Sequence, residues 1–159
     1  MRISGVLGAG LALMLAGCVA PVPVAAPQPG TTMRVAQGAP ITIRNDKGGN
    51  VMQMVARRQQ LAASGRPVQI RGVCSSACTM LLSLPNACLA PDASVGFHAP
   101  RLPGTQVIPP LVDQIMAQYY RAGILSRWNE DWKYRLEMTR ISGREAARLD
   151  PQIRLCPPG

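Results

Sequence analysis

Residues 67–85, PVQIRGVCSSACTMLLSLP, decide the fold. The first part, Pro67 to Val73, alternates apolar and polar side chains in the manner of a β-strand. A turn follows at Cys74-Ser75-Ser76, and the run from Ala77 to Leu84 has helical character with apolar side chains on nearly every face. An apolar surface of that extent is typical of a buried helix. The stretch therefore predicts a strand that delivers a serine to the start of a buried helix.

The segments on either side of this stretch extend the pattern. A short β-branched strand at Ile41-Thr42-Ile43 is followed by a Gly- and Asn-rich turn, and then by helical spacing from Val51 to Ala63. Two short strands are predicted at Cys88–Ala90 and Ser94–Phe97. Helices are expected at Leu111–Ala122, around Trp128 and Trp132, and from the capping box Ser142-Gly143-Arg144-Glu145. The order predicts an α/β fold: a βαβ unit with a mainly parallel sheet and a C-terminal helical segment.

Three pieces of the chain carry the residue types of a hydrolytic site. They are the Gly48-Gly49 turn, Ser76 between a strand and a helix, and His98, the only histidine. The turns after two parallel strands meet at one sheet edge, so backbone N–H groups near the glycines and the helix start are expected to form an oxyanion hole. His98 is then a candidate base for Ser76. The alternatives are a helix-capping serine, a core histidine and a simple tight turn.

The ordered set Gly48-Gly49, Ser76-Ala77 and His98-Ala99-Pro100 resembles the Clp-protease-like serine hydrolases of the crotonase superfold, especially small exported relatives. The likeness runs from Ile41 to Pro100 and returns in the Ser-x-x-Glu-Ala pattern that begins at Ser142. It implies Ser76 as nucleophile, His98 as base, and an oxyanion hole at Gly48, Gly49 and Ala77. The substrate it implies is a peptide or another acyl compound.

The third member of the catalytic triad departs from the family pattern. The position of the family's aspartate is occupied by Met138, with Glu137 next to it. We therefore expect Glu137 to orient His98, with Asp113 or a backbone carbonyl as alternatives. A Ser-His dyad and an inactive site that keeps only the fold are the remaining interpretations.

The amino terminus predicts export. Arg2 precedes the uncharged apolar run Ile3 to Leu15, which is too short for a stable membrane-spanning helix. The run ends in Leu15-Ala16-Gly17-Cys18. This ending resembles the lipobox of bacterial lipoproteins, in which the cysteine after the cleavage site carries diacylglycerol. The predicted organisation is a signal peptide over 1–17, a Pro/Ala-rich tether over 18–39 and one α/β domain over 40–159. Val19 follows the cysteine, and by resemblance to the sorting rule of enterobacterial lipoproteins this residue implies the outer membrane rather than the inner one.

With Cys18 assigned to lipid, the remaining cysteines are Cys74, Cys78, Cys88 and Cys156. An even number in an exported domain predicts two disulfides, for which three pairings exist. Since Cys78 lies on the buried helix and Cys88 begins the next strand, the expected pairing is Cys78–Cys88 with Cys74–Cys156. A zinc half-site at Cys74-x-x-x-Cys78 is the alternative, although His98 does not complete an obvious ligand set. No metal or other cofactor is expected.

The chain is basic, with 17 Lys and Arg against 8 Asp and Glu and a formal net charge of +9. The positive charges are scattered and form no block that predicts a polyanion site. A basic surface outside the cytoplasm suits anionic lipid headgroups or other envelope polyanions, or it is simply a solvated surface. Nucleic acid is not an expected partner, and the sequence does not indicate an oligomeric state.

Overall fold

A computed structural model describes residues 38–157; the predicted signal peptide, Cys18 and the tether up to residue 37 lie outside them. The strands in this range are β1 (Ile41–Asp46), β2 (Val68–Ser75), β3 (Ala87–Leu89), β4 (Ser94–Phe97) and β5 (Thr139–Ser142). The α-helices are α1 (Val51–Ala63), α2 (Pro110–Ala117), α3 (Ala122–Glu130) and α4 (Gly143–Leu149), and the 3₁₀-helices are Ser76–Ser83 and Trp132–Tyr134. None of these helices combines the length and the apolar character needed to cross a bilayer.

The sheet is mixed, which corrects the expectation of a mainly parallel sheet, while the α/β class is confirmed. Strands β1, β3 and β4 all run parallel to β2, with β3 beside the first half of β2 and β4 beside its second half. The last strand, β5, runs antiparallel along β4, and its Thr139 is paired with Phe97. The antiparallel strand comes from the segment between the helix predicted around Trp128 and Trp132 and the Ser142 capping box, for which no strand was predicted, and it pairs with β4.

The β1–α1–β2 unit forms as the sequence predicts. The Asn50 side chain accepts a hydrogen bond from the Gln53 N–H at 3.0 Å and so caps α1, while Met54 and Leu61 bury the inner face of the helix. The helix ends at Ala63 with Ser64 as its C-cap, and Gly65 follows in the left-handed conformation with φ 62°. The parallel pairing of β1 with β2 brings the turns that follow them to the same edge of the sheet.

The helix predicted over Leu111–Ala122 is interrupted. The structure ends α2 at Ala117 and begins α3 at Ala122, whose φ is +46°. Between them Tyr120 turns into the core, where its hydroxyl lies 2.7 Å from Thr79 Oγ1. A buried hydroxyl needs a hydrogen-bond partner, and Thr79 supplies one to Tyr120 at the interruption. The tertiary contact therefore overrides the local periodicity.

An aromatic cluster fills the core between the sheet and the C-terminal helices. The rings of Phe97 and Trp132 are stacked at 4.3 Å, and Tyr120 contacts Phe97 and Trp128 edge to face. Trp128 is fully buried and Trp132 is nearly so. The interpretation of the two tryptophans as core residues rather than a ligand platform is confirmed.

All four cysteines of the domain form disulfides, but the predicted pairing is wrong. The bonds are Cys74–Cys78 and Cys88–Cys156. Cys88 is in register with Gln69, toward the beginning of β2, whereas Cys74 is near the end of that strand. The buried helix starts at the Cys74 end, so Cys78 stays beside Cys74. The carboxyl tail reaches Cys88 instead, because the Cys156 N–H donates to the carbonyl of Leu89.

We expect the double variant Cys88→Ala/Cys156→Ala to lose about 2–4 kcal/mol of unfolding free energy. This bridge spans 68 residues in sequence and ties the tail to the edge strand β3, so its removal frees a long loop in the unfolded chain. Urea unfolding of oxidised protein measures the change. A loss below about 0.5 kcal/mol, no larger than that of an ordinary surface substitution, would contradict this role.

Candidate active site

Ser76 stands at the turn between β2 and the buried 3₁₀-helix, in an unusual backbone conformation. Its φ is +56°, in the left-handed region that non-glycine residues seldom adopt. Such backbone strain clusters at functional sites, and hydrolase nucleophiles often sit on a strained strand-to-helix turn that exposes their oxygen. The helix that begins here has no side-chain cap, because Ser75 at the cap position makes no such bond. Ser76 therefore does not show the features of an ordinary helix cap.

Gly48 lies directly against this turn. Its φ is +84°, and a Cβ placed on it would lie 2.6 Å from the Ser75 carbonyl oxygen, 2.7 Å from the Ala77 nitrogen and 2.8 Å from Ser76 Cβ. Only glycine allows this close approach of two backbones. The structure thus brings the Gly48-Gly49 turn and Ser76 together, as the βαβ topology predicts.

The two glycines have different roles at the site. The Gly48 N–H donates to Asp46 Oδ1 at 2.8 Å, so it is not available to a substrate, which corrects the assignment of Gly48 to the oxyanion hole. Asp46 reaches this N–H because it is the last residue of β1, two positions before the glycine. Gly49, with φ +132°, lines the cavity described below. The remaining oxyanion candidates are the N–H groups of Gly49 and of Ala77, which lies in the first turn of the 3₁₀-helix.

A cavity of about 520 Å³ joins the predicted residues. Ser76, His98 and Gly49 all line it, at the edge of the sheet where β1, β2 and β4 end. Most of the remaining wall is apolar and consists of Val51, Met52, Pro100, Leu102, Pro103, Pro109, Val112 and Ile115. This volume falls in the range of small-molecule sites, and an apolar wall around a few convergent polar groups is typical of a binding cleft.

Much of that wall was not foreseen from the sequence. The loop after His98 and the first turns of α2 supply it, and they also bring Arg101 to the rim. The proline-rich composition from Pro100 to Pro110 marks this segment as a loop, but composition alone does not say which part of the fold a loop covers. The three-dimensional position of α2 is what brings this loop to the cavity that Ser76 lines.

His98 is half-buried directly after β4. Burial lowers the pKa of His98 below its ordinary value, the backbone at Ala99 acts in the opposite direction, and the positive charge of Arg101 adds to the lowering. A lowered pKa keeps the imidazole neutral near pH 7, which is the form that accepts a proton from a serine.

Among residues 38–157, no side chain orients the His98 ring through a hydrogen bond to Nδ1. Nδ1 of His98 is buried without a hydrogen-bond partner in the described part of the chain. Glu137, predicted for this role, is exposed. The neighbouring Met138 packs inward, with its sulfur 2.6 Å from where a Cβ on Gly96 would lie.

Two further contacts of His98 were expected, one with Asp113 and one with Ser76, and neither forms as a hydrogen bond among residues 38–157. Asp113 Oδ1 is buried and also lacks a hydrogen-bond partner among residues 38–157, so it does not orient the ring of His98. Within the same range no hydrogen bond joins the side chains of Ser76 and His98, although both line the cavity. Catalytic hydrogen bonds are often long in unliganded sites and tighten when a substrate binds.

The reaction of Ser76 with a neutral fluorophosphonate is expected to depend on a single group with a pKa below 6.5, the ordinary value for histidine. The rate should be constant above that pH and fall as His98 takes up its proton. The unfolded chain binds this proton first, so protonation also lowers the unfolding free energy as the pH falls below 6.5. A pH–rate profile measures the inflection. His98→Gln should remove it, and an inflection above pH 6.5 in the wild type would contradict the account.

The alternative zinc half-site is not present as predicted, because the Cys74 and Cys78 sulfurs are bonded to each other. Within residues 38–157 no three His, Cys, Asp or Glu side chains come together in a way that could hold a metal ion.

No protein-family model matches the chain, and no curated protein matches it.

Proposed function

We propose that this protein is a serine hydrolase acting on peptides or another acyl substrate, with Ser76 as nucleophile and His98 as general base. One observation carries the proposal. Ser76 occupies a left-handed strand-to-helix turn that opens into an apolar cavity shared with the chain's only histidine and with Gly49. A nucleophilic site requires a neutral base within reach and a pocket for the substrate, and strained backbone often accompanies such sites.

The chemistry assigns one step to each group. Ser76 Oγ attacks the substrate carbonyl while its proton passes to the neutral imidazole of His98. The N–H groups of Gly49 and Ala77 stabilise the oxyanion of the tetrahedral intermediate. His98 then returns the proton to the leaving group, and water hydrolyses the acyl-enzyme by the same route. The apolar wall of the cavity receives an apolar part of the substrate.

The proposal includes ancestry with the Clp-protease-like hydrolases of the crotonase superfold. Its support is the order of the motifs and the contact between the Gly48 turn and the Ser76 turn. The β1–α1–β2 unit and the buried helix after the serine are consistent with that ancestry.

The proposed location is the bacterial cell envelope, with the domain anchored through lipid on Cys18 and facing the periplasm, at the outer membrane in preference to the inner one. The lipobox-like sequence before Cys18 supports this location. The two disulfides of the domain are consistent with an oxidising compartment.

Replacement of Cys18 by serine is expected to release the protein from the membrane fraction or to leave it unprocessed. A hydroxyl does not replace the thiol that accepts the diacylglycerol. Membrane fractionation and intact mass of the recovered protein measure the outcome. Wild-type protein that is correctly cleaved yet lipid-free would contradict the anchor.

A second candidate function is a non-catalytic envelope lipoprotein that keeps this fold to bind a ligand or a partner. The observation in its favour is the unpartnered Nδ1 of His98, because an imidazole without an orienting group is a weaker base. In that case the cavity would bind a substrate-like molecule without turning it over.

Turnover separates the two candidates. The full chain, solubilised in detergent and oxidised, is mixed with activated acyl esters and fluorogenic peptides. With an activated ester, whose acylation is faster than deacylation, a hydrolase gives an initial burst of leaving group that approaches the protein concentration, followed by slower release. With a fluorogenic peptide, a hydrolase gives steady turnover. Saturable binding without a burst and without turnover would support the non-catalytic candidate instead.

A further inference from the structure

A covalent bridge encloses the proposed nucleophile. Cys74 and Cys78 are bonded, four residues apart in sequence, with their Cα atoms 5.3 Å from each other. Cys74 belongs to β2 and Cys78 to the 3₁₀-helix, and only Ser75, Ser76 and Ala77 lie between them. The bridge therefore spans the turn that places Ser76 at the cavity.

The conformation inside this small ring has few other supports. Left-handed backbone is disfavoured for a serine. The Thr79 hydroxyl donates to the Ser76 carbonyl at 2.7 Å, and Gly48 presses against the turn from outside. The cap residue Ser75 contributes no side-chain hydrogen bond to the helix start. Ser75 is paired with Gly96 and Ala77 is fully buried, but neither contact acts directly on the φ of Ser76. An open chain would therefore be free to relax toward the common right-handed or extended regions and carry the serine oxygen with it.

The two disulfides of the domain are suited to different tasks. Stabilisation of a fold by a disulfide grows with the length of the loop it closes. Cys88–Cys156 spans 68 residues, whereas Cys74–Cys78 spans four, so the short bridge contributes less to global stability. Both of its cysteines are fully buried beside Ser76. Its effect is therefore local.

We infer that the Cys74–Cys78 disulfide is a positioning device for the nucleophile: it holds Ser76 in the left-handed conformation that presents Oγ to the cavity. Cys74 and Cys78 touch no substrate and act only through Ser76 and the Ala77 N–H. The kinetic part of this inference rests on the proposed hydrolase function, while its conformational part does not.

The test compares Cys74→Ala/Cys78→Ala with the matched control Cys88→Ala/Cys156→Ala in the full, detergent-solubilised chain. The first readout is the backbone φ at Ser76, from NMR couplings and chemical shifts of serine-labelled protein. The second is the rate of labelling by a fluorophosphonate, separated into its maximal rate and its half-saturating concentration. Thermal unfolding is measured alongside to ensure that both variants are folded at the assay temperature.

We expect Cys74→Ala/Cys78→Ala to lose the positive-φ signature and to lower the maximal labelling rate by about a hundredfold, the scale of a misplaced reacting group. Its half-saturating concentration should stay unchanged, because the cavity wall is intact. The control should keep both the signature and the maximal rate while unfolding at lower temperature. A slower maximal labelling rate in the first variant, with only a lower unfolding temperature in the control, distinguishes positioning of Ser76 from general stabilisation of the fold.

Retention of the positive-φ signature in Cys74→Ala/Cys78→Ala, or loss of the signature with an unchanged labelling rate, would overturn the inference. Wild-type protein that never labels, combined with loss of the signature in the variant, would refute the hydrolase and leave the conformational role of the bridge standing. If this double variant does not fold, Cys74→Ser/Cys78→Ser provides the same comparison with side chains closer in size to the cysteines. Failure of both double variants to fold, while Cys88→Ala/Cys156→Ala folds, would also overturn the inference, because the short bridge would then act on global stability.

Discussion

Ser76→Ala is expected to abolish labelling by a fluorophosphonate and to reduce ester or peptide hydrolysis to background. Removal of the nucleophile of a serine hydrolase costs up to about a millionfold in turnover, because the remaining groups act only through it. The fold should survive, since alanine fits the space of serine and small changes at such positions cost about 1 kcal/mol or less.

Ser75→Ala is the matched control. Ser75 is the adjacent serine, is buried, and lies outside the cavity lining, with its hydroxyl 3.4 Å from Arg140 Nη1. Labelling should persist in this variant and disappear in Ser76→Ala. If both variants label equally well, the probe is reacting elsewhere, and Ser76 is not the nucleophile.

Gly48→Ala is expected to damage both the fold and the site. The added methyl group would lie 2.6 to 2.8 Å from atoms of the Ser76 turn, two of which belong to the backbone and cannot turn aside. Overpacking of this kind and the left-handed φ of +84° together predict a loss of about 2–5 kcal/mol of unfolding free energy. Labelling of any protein that remains folded should also fall, because the turn that carries Ser76 must move.

Gly65→Ala is the control that separates the backbone strain of a left-handed alanine from the steric crowding expected at Gly48. Gly65 is also left-handed, with φ +62°, but a Cβ there would meet nothing within 4 Å. Its substitution should cost only about 1 kcal/mol and leave labelling unchanged. Denaturant unfolding and labelling rates measure both variants. Equal destabilisation of the two would show that the contact between Gly48 and Ser76 is not a constraint on the fold.

Local patterns in the sequence predicted the elements that bring the site together. The bounds of α1 follow from its apolar spacing, its Asn50 cap and Gly65, and a strand–helix–strand order places the Gly48 turn beside Ser76 whatever the details of packing. These features depend on neighbours close in sequence or on a topology rule. They therefore do not require knowledge of the tertiary structure.

Long-range packing decided the features that the sequence could not predict. The register of β3 at the beginning of β2 keeps Cys88 away from Cys78, and nothing in the cysteine spacing indicates a register. Met138 packs inward while Glu137 is exposed, and β5 is only four residues long. The use of the Gly48 N–H by Asp46 is a local feature that the sequence could have suggested, since an aspartate two residues before a glycine commonly accepts its N–H.

The most direct test of the account is the position of the adduct after wild-type protein reacts with a fluorophosphonate. The full chain, oxidised and folded in detergent, is incubated with the probe near pH 7.5, digested without reduction, and mapped by mass spectrometry. The account predicts one adduct per chain, on Ser76. Heat denaturation of the protein before labelling should prevent formation of this adduct. Folded wild-type protein that carries no adduct, or that carries it on another residue, would contradict the assignment of Ser76 as the nucleophile.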